Sequence, residues 1–295
     1  MDRRQFVAGA TLALAACGNR GTAGEPEDRP PVEPPLEPGV VRIASVKTAV
    51  DGNLLPALVE RFQRDSRYRV RVTTGERVYD LARTGDADLV ISHYGHRDAE
   101  AFVLDGLGEW PRTIFSNQMA LVGPPNDPAN VRGLDDVGEA FRRIAETHSQ
   151  FMSNEIDGVR YLVEILWHAA GEPERTSSWW LDEHASKNGA VIRASQVGAY
   201  TFWGLTPFLR LASTESLALE PLVLADPLLQ RILVSIVVKP NSTCRVNRDG
   251  AIAFQSFLLS PKTQAAIRSI HYPGKTVVGW VPAGRHNRTG ALPQG

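Results

Sequence analysis

The chain has 295 residues, of which 43% are hydrophobic and 22% are charged, and its formal net charge is −1. This length and polarity suit one large or two medium globular lobes. Because the chain has no basic excess, its composition gives no indication of a nucleic-acid partner. The two cysteines, Cys17 and Cys244, are too few for a disulfide framework if the first is modified as argued below.

The N-terminus, residues 1–17, has the order of features of a bacterial export signal with a lipobox. Arg3 and Arg4 precede an apolar run over 6–16, which is shorter than the roughly 20 apolar residues of a membrane-spanning helix. The letters RRQFV look like a twin-arginine signal. LAAC looks like a lipobox, which predicts lipidation of Cys17 and anchoring of the protein at the cell envelope. The alternative is a chance apolar N-terminus with one core cysteine.

The segments that flank the body are poor in residues that a core could bury. Residues 18–39 include the stretch EPEDRPPVEPPLEPG and are predicted to form a semi-extended tether. Residues 285–295 are expected to be a frayed tail. The globular body is therefore expected over residues 40–284.

Strand and helix patterns alternate along this body. Short runs of β-branched residues predict strands, and apolar residues at helical spacing predict helices. The predicted strands are 40–46, 69–73, 87–92, 118–122, 150–153, 190–193, 222–224 and 231–239. The predicted helices include 54–62, 75–81, 98–104, 134–146, 158–170, 195–201, 250–259 and 261–270. The alternation indicates an α/β fold with a mostly parallel sheet covered by helices.

Polar turns follow several predicted strands, at 45–53, 73–76, 92–95 and 153–160. In open α/β sheets, ligands bind beyond the carboxyl ends of the strands, where helix N-termini favour anions. One helix terminus contributes about 0.3–1 kcal/mol, whereas micromolar binding needs about 8 kcal/mol. A useful anion site therefore requires two or three such turns that face one another across a cleft.

Several segments, in the same order, resemble the tungstate-binding family of ABC-transporter solute-binding proteins. They include IASVKTAVDGNLLPALVERF, RTGDADLVISH, FSNQMALVGPPNDPA, FMSN, GAYTF and GAIAFQSFLLSPKTQAAI, and they cover most of 41–274. The resemblance implies a two-lobed periplasmic-binding-protein type II fold with a hinge. Lobe 1 is expected to comprise 40–122 and 233–284, and lobe 2 to comprise 123–232.

The same resemblance implies a ligand, partners and a site. The ligand is expected to be a tungstate- or molybdate-like oxyanion or a small organic acid, which the protein presents to a membrane permease and its ATPase. In the family, hydroxyls, backbone amides and basic groups from both lobes hold the anion. The matching positions here are Ser45, Lys47, Thr48, Thr74, Ser153, Asn154, Arg160 and Thr201.

This chain departs from the family pattern at charged and hydroxyl positions. Asn154 stands where the family has an arginine, and an amide does not replace the charge of a guanidinium. Lys47 replaces a threonine and supplies positive charge from the facing lobe, and Arg160 also replaces a threonine. Glu155 adds a negative charge near the expected anion.

Two other interpretations remain open from the sequence. The hydroxyl and amide side chains also suit helix caps, and the basic ones suit surface ion pairs. A cell-envelope sensor or interaction protein on the same fold would lack a transport role. We expect no enzyme activity and no cofactor, because the sequence has no G-x-S-x-G, P-loop, G-x-G-x-x-G or H-E-x-x-H motif.

Overall fold

The computed structural model of the protein describes residues 39–95, 97–241, 245–272 and 280–283. The export signal with Cys17, nearly all of the tether, Cys244 and the tail lie outside these ranges, so those predictions stay predictions. No helix of the described ranges is both long and apolar enough to cross a membrane.

Strands and helices alternate through most of the described chain. The strands are β1 Val40–Ser45, β2 Arg69–Thr74, β3 Leu89–His93, β4 Arg112–Gly123, β5 Phe151–Met152, β6 Trp180–Leu181, β7 Thr201–Gly204, β8 Glu220–Val223, β9 Gln230–Val237 and β10 Trp280–Pro282. The α-helices are α1 Lys47–Asp51, α2 Leu54–Asp65, α3 Val78–Arg83, α4 Arg97–Leu104, α5 Val137–Glu146, α6 Asp157–Ala169, α7 Lys187–Val197, α8 Leu205–Thr214, α9 Arg248–Leu259 and α10 Pro261–Ile267. Most of them agree with the sequence prediction to within a few residues.

The first lobe is built on parallel strands. β1 lies between β2 and β3 and pairs with both in parallel, and β9 continues the sheet antiparallel to β3. Helix α2 buries Leu54, Leu58 and Phe62 against one sheet face, where they join Phe254 of α9. Helices α3 and α4 cover the other face. The three parallel strands therefore end at one edge of the sheet.

The second lobe has its own hydrophobic cores. The last residues of β4 pair antiparallel with β7 and β8, while β5 and β6 pair in parallel. Phe141 of α5, Val159 of α6 and the buried Trp179 pack on one face of this sheet, and α7 and α8 pack on the other. Trp180, next to Trp179, is partly buried against the same core.

Two long strands, β4 and β9, pass between the lobes. Phe115 at the start of β4 belongs to the core of the first lobe, whereas Leu121 near its end belongs to a core of the second. β9 pairs antiparallel with β4 from Arg112 to Gln118. The two-lobed α/β fold with crossover strands is thus confirmed. The expected lobe boundaries after 122 and 232 stay predictions.

The sheet contains more antiparallel pairs than the prediction of mostly parallel sheets allowed. β9, β4, β7, β8 and β10 all pair antiparallel with a neighbour. Alternation of strands and helices along the chain indicates parallel βαβ units, but strands that cross from one lobe to the other and return must run in opposite directions.

The prediction of a strand at 190–193 and a helix at 195–201 is wrong. Residues 187–197 form α7, which ends at Gly198 with a left-handed φ of 68°, and β7 follows. Ala190, Val191 and Ala194 lie on one helical face that packs against α8. Packing in the lobe therefore overrides the strand preference of the β-branched pair Val191-Ile192.

Candidate ligand-binding cleft

A cavity of about 510 Å³ lies between the lobes, where α1 faces α8. Its lining residues come from both sides of the cleft. They are Lys47, Thr48 and Asp51 of α1, with Asn188, Trp203, Thr206, Pro207, Arg210, Leu211 and Thr214 of the second lobe. The sequence-predicted Lys47 and Thr48 are therefore brought together at an inter-lobe cavity.

One ion pair crosses the cleft at this cavity. The Arg210 Nη1 atom lies 2.5 Å from the Asp51 Oδ2 atom, so α8 of the second lobe is tied to α1 of the first. With Lys47, the cavity wall carries two positive charges and one negative charge. Because Asp51 offsets only one of the cations, the wall retains a positive charge toward a small anion.

Trp203 forms an apolar wall that is held in place by a polar contact. Its indole Nε1 donates a hydrogen bond of 3.1 Å to the Asn188 Oδ1 atom. This contact fixes the indole between the N-terminal part of α7 and the start of α8. The cavity therefore combines cations and hydroxyls with an apolar surface, as sites for small organic ligands commonly do.

The residues of helix α8 that line this cavity are not among the site residues predicted from the sequence. Thr206, Arg210 and Thr214 recur every four residues and therefore lie on one face of the helix. The rest of that helix is mostly buried and apolar, with Leu205, Phe208 and others in the core. A polar stripe at four-residue spacing was the signal that could have identified them.

Thr74 lies away from the cavity. It lines a separate shallow depression together with Thr73, Gly75 and Glu76. Glu76 also forms a second ion pair across the cleft, with its Oε1 atom 3.7 Å from the Lys187 Nζ atom. Both side chains are largely exposed. An ion pair this exposed contributes about 0–1 kcal/mol.

Asn154 serves as a structural connector. It is only 1% exposed. Its Oδ1 atom accepts a hydrogen bond of 2.9 Å from the Lys187 backbone N–H. Its Nδ2 atom donates to the carbonyls of Lys187 and Phe202. The amide thus joins the start of α7 to β7, and the hydrogens of its Nδ2 are directed at protein carbonyls.

Three other predicted site residues lie outside the cavity wall. Ser45 is fully buried, and its hydroxyl donates to the adjacent Val46 carbonyl at 3.1 Å. Ser153 is partly exposed, and its backbone N–H donates to the Leu181 carbonyl. Arg160 is exposed and lies 3.5 Å from Glu155. The proposal that these residues contact a ligand is not tested by the geometry.

Thr201, the last of the predicted site residues, is fully buried at the start of β7. Its Oγ1 atom has no hydrogen-bond partner within the described chain. Thr201 pairs with Val122 of β4, so it lies on the strand that leads to Trp203. Its backbone therefore helps to position one wall of the cavity.

The capping interpretation does not hold for helices α1 and α6. The N-cap positions are Val46 and Ile156, and neither helix has a side-chain cap hydrogen bond. The hydroxyls of Ser45, Thr48 and Ser153 therefore do not satisfy the first N–H groups of these helices.

One cluster has the side-chain types of a metal site. The ligand atoms of Glu155, Asp182 and His184 all lie within 4.8 Å of one another. Asp182 and His184 are exposed, and Glu155 is already paired with Arg160. Exposed acidic groups of this kind commonly occur without a metal, so the cluster does not define a metal centre.

Comparison with known proteins identifies the family. Residues 47–272 match the bacterial extracellular solute-binding proteins. The chain belongs to this family. A curated relative, the putative ABC transporter anion-binding protein of Haloferax volcanii, is 30% identical over 286 residues, which cover 90% of this chain and 82% of the relative.

Other relatives of this solute-binding protein bind tungstate, according to their names. The tungstate-binding protein TupA of Peptoclostridium acidaminophilum is 27% identical over 263 residues, covering 87% of this chain and 88% of the relative. The solved structure of TupA from Desulfovibrio alaskensis G20 is 25% identical with a TM-score of 0.69, and the match covers 82% of this chain and 98% of that chain. The predicted resemblance to the tungstate-binding family is therefore confirmed.

Proposed function

We propose that this solute-binding protein is the lipid-anchored, extracytoplasmic component of an ABC-type importer and binds a small anion between its two lobes. The expected ligands are tungstate- or molybdate-like oxyanions and small organic acids. One observation carries the proposal: Lys47 and Arg210 approach the same cavity from opposite lobes. Its relatives, which are named as anion- and tungstate-binding proteins, support the same ligand class.

The division of donors between the lobes couples binding to closure. Lys47 and Thr48 belong to the first lobe, whereas Thr206 and Arg210 belong to the second. A hydrogen bond to a charged group contributes about 1.5–3 kcal/mol, so several together supply the roughly 8 kcal/mol of micromolar binding. Because an open cleft offers only half of the donors, the ligand favours the closed state, and β4 and β9 serve as the hinge.

The anchor and partners follow from the N-terminal sequence and the family. A lipidated Cys17 with a proline-rich tether would hold the body near the membrane, where it delivers the anion to a permease and its ATPase. We expect Cys17→Ser to abolish incorporation of a labelled fatty acid and to release the protein from the membrane fraction. Unchanged labelling in that variant would contradict the anchor.

The ligand proposal is tested by isothermal titration calorimetry with tungstate, molybdate, phosphate, sulfate, lactate and acetate. The exported protein is purified in mild detergent, and ionic strength is kept constant. We expect at least one of these anions to bind with micromolar affinity. Binding of none of them would contradict the proposal and favour the alternative of an envelope sensor or interaction protein without a transport role.

Variants locate the site. Lys47→Gln combined with Arg210→Gln is expected to weaken binding at least tenfold. Arg248→Gln, on the exposed surface of α9, serves as the control for the loss of one charge. The pair Thr48→Ala and Ser153→Ala tests the residues predicted from sequence, and full binding in that variant would remove those two hydroxyls from the site.

A further inference from the structure

A second positive group lies at the junction of the lobes, outside the cavity lined by Lys47 and Arg210. Arg231 belongs to the crossover strand β9, and its side chain reaches the first turn of α6. A Cβ atom built on Gly158 would lie 2.3 Å from the Arg231 Nη1 atom. The guanidinium therefore rests directly against the backbone of α6, and glycine at 158 makes this approach possible.

Within the described ranges, this guanidinium has no carboxylate partner. Its only hydrogen-bond contact within the described chain is the Met119 Sδ atom at 3.9 Å. The side chain is partly buried, and desolvation lowers the pKa of Arg231. Every acidic residue outside the described ranges precedes residue 39. A cation that is withdrawn from water is unfavourable unless an anion accompanies it.

The backbone of the first turn of α6 adds positive potential at the same place, while the exposed carboxylate of Asp157 in that turn offsets part of it. The helix has 13 residues and no side-chain cap. The N–H groups of Val159 and Arg160 both donate to the Ile156 carbonyl, whereas the hydrogen bonds of the described chain leave those of Asp157 and Gly158 without an acceptor. A helix N-terminus carries about half a positive charge, so it repels a guanidinium and attracts an anion.

Asn117 provides an independent indication of a ligand. It lies directly opposite Arg231 in the β4–β9 ladder. Residues opposite one another in an antiparallel pair project from the same sheet face, with Cβ atoms about 4.5–5.5 Å apart. Asn117 is only 4% exposed, and its Oδ1 atom has no hydrogen-bond partner within the described chain. An amide this deeply buried normally has a partner.

We propose that Arg231, Asn117 and the first turn of α6 form the seat for the acidic group of the bound solute. This inference rests on the proposed function and extends it, because it adds a second set of anion-binding groups, at the junction of the lobes, to Lys47 and Arg210 of the cavity. The Arg231 fork donates to two oxygens of a carboxylate or a tetrahedral oxyanion, and the N–H groups of Asp157 and Gly158 donate to the same group. The Asn117 Oδ1 atom accepts a hydrogen bond from a hydroxyl of the ligand.

The seat also has a consequence for the unligated protein. Without an anion, the two positive groups repel each other, so the parent protein is less stable than a variant that lacks the guanidinium. A residue kept for binding commonly reduces stability in this way. A purely structural arginine would have the opposite effect when it is replaced.

The test compares Arg231→Gln and Arg231→Met with the parent and with the surface control Arg248→Gln. Thermal unfolding is measured without ligand, and the dissociation constants of phosphate, tungstate, molybdate, lactate and acetate are measured by calorimetry. We expect both Arg231 variants to melt at or above the parent temperature when unligated and to bind the parent's preferred anion at least tenfold more weakly.

Three results would overturn the inference. If both Arg231 variants melt well below the parent, or fail to fold, the guanidinium is a structural group. If either variant folds and binds the preferred anion as tightly as the parent does, the seat lies elsewhere while the proposed function stands. If the parent binds none of the anions, the proposed function fails and this inference fails with it.

Discussion

Asp51 of α1 and Arg210 of α8 form an ion pair of 2.5 Å that connects the two lobes at the edge of their shared cavity. Arg210 is 62% exposed and Asp51 is 33% exposed in this pair. A pair in contact with water contributes only about 0–1 kcal/mol to stability. The main effect of the pair is therefore on the cleft: it orients Arg210 and reduces the positive charge that a ligand meets.

Asp51→Asn is expected to strengthen anion binding. Removing a unit charge near the ligand changes its energy by roughly 1 kcal/mol at 4 Å in water, which is about fivefold in affinity. The gain is expected to shrink as salt increases, because screening weakens interactions between exposed charges. Calorimetry at low and high salt checks this, with Glu109→Gln on the outer surface as the control. Weaker binding in Asp51→Asn would mean that positioning of Arg210 outweighs the charge.

Gly158→Ala is expected to displace the Arg231 guanidinium, because an added methyl group overlaps it. The expected loss of stability is at most about 1 kcal/mol, the low end of the cost of overpacking, since the guanidinium is the far end of a flexible side chain. Gly189→Ala in α7 is the matched control, because a Cβ there meets nothing within 4 Å and alanine favours a helix by roughly 0.5–1 kcal/mol. Urea unfolding measures both changes.

Arg231→Ala is expected to remove the penalty of Gly158→Ala. The two side chains compete for the same volume, so the double variant is expected to show a coupling of about 0.5–1 kcal/mol. Simple additivity of the two changes would show that the guanidinium does not occupy the space beside Gly158 in solution.

Asn154→Ala is expected to reduce the free energy of unfolding by about 1–3 kcal/mol, because it leaves the Lys187 N–H and the Phe202 carbonyl without partners. Ser153→Ala, at the partly exposed neighbour, is the control and is expected to change stability little. Measurements are made without ligand. An Asn154→Ala protein as stable as the parent but defective in binding would restore Asn154 to the ligand site predicted from sequence.

Alkaline pH is expected to destabilise the protein through Tyr79. Burial raises the pKa of Tyr79 to about 12, although its hydrogen bond of 2.6 Å with Ser92 acts in the opposite direction. The unfolded chain releases this proton near pH 10, so stability is complete below about pH 10 and falls as pH rises toward 12. Urea unfolding at several alkaline pH values checks the slope, and Tyr79→Phe is expected to make it shallower.

Tyr200 is a second buried phenol that is expected to contribute to the loss of stability at alkaline pH. Its hydroxyl donates to the Asp127 carboxylate at 2.7 Å and accepts from the Ala129 N–H, and burial raises its pKa as well. Tyr200→Phe is therefore also expected to flatten the curve. An unchanged slope in both variants would show that neither buried phenol controls the alkaline transition.

Only part of the long crossover strand β4 was predicted from the sequence. A run at 118–122 was predicted as a short strand, whereas β4 extends from Arg112 to Gly123. Its residues from Thr113 onward are all buried, so the period-two pattern that marks a half-exposed strand is missing. Helix α5 is the contrasting case, because its strong amphipathic pattern fixed its position within a few residues.

The candidate site was likewise predicted only in part from the sequence. Lys47 and Thr48 were found because they follow a recognisable strand and belong to a family motif. Arg210 and Arg231 were missed because each is remote in sequence from that motif, and only folding brings one to α1 and the other to α6. Asn154 was assigned to the ligand because its sequence position matches a family arginine, while its hydrogen bonds are made with α7 and β7.

The sequence by itself determined the alternation of strands and helices, the family and the class of ligand to expect, because local periodicity and motifs record which faces must be buried. The tertiary structure alone decided which charges meet at the cleft, how the crossover strands run and which polar groups lack partners. Those properties depend on contacts between residues far apart in the chain, which no local pattern encodes.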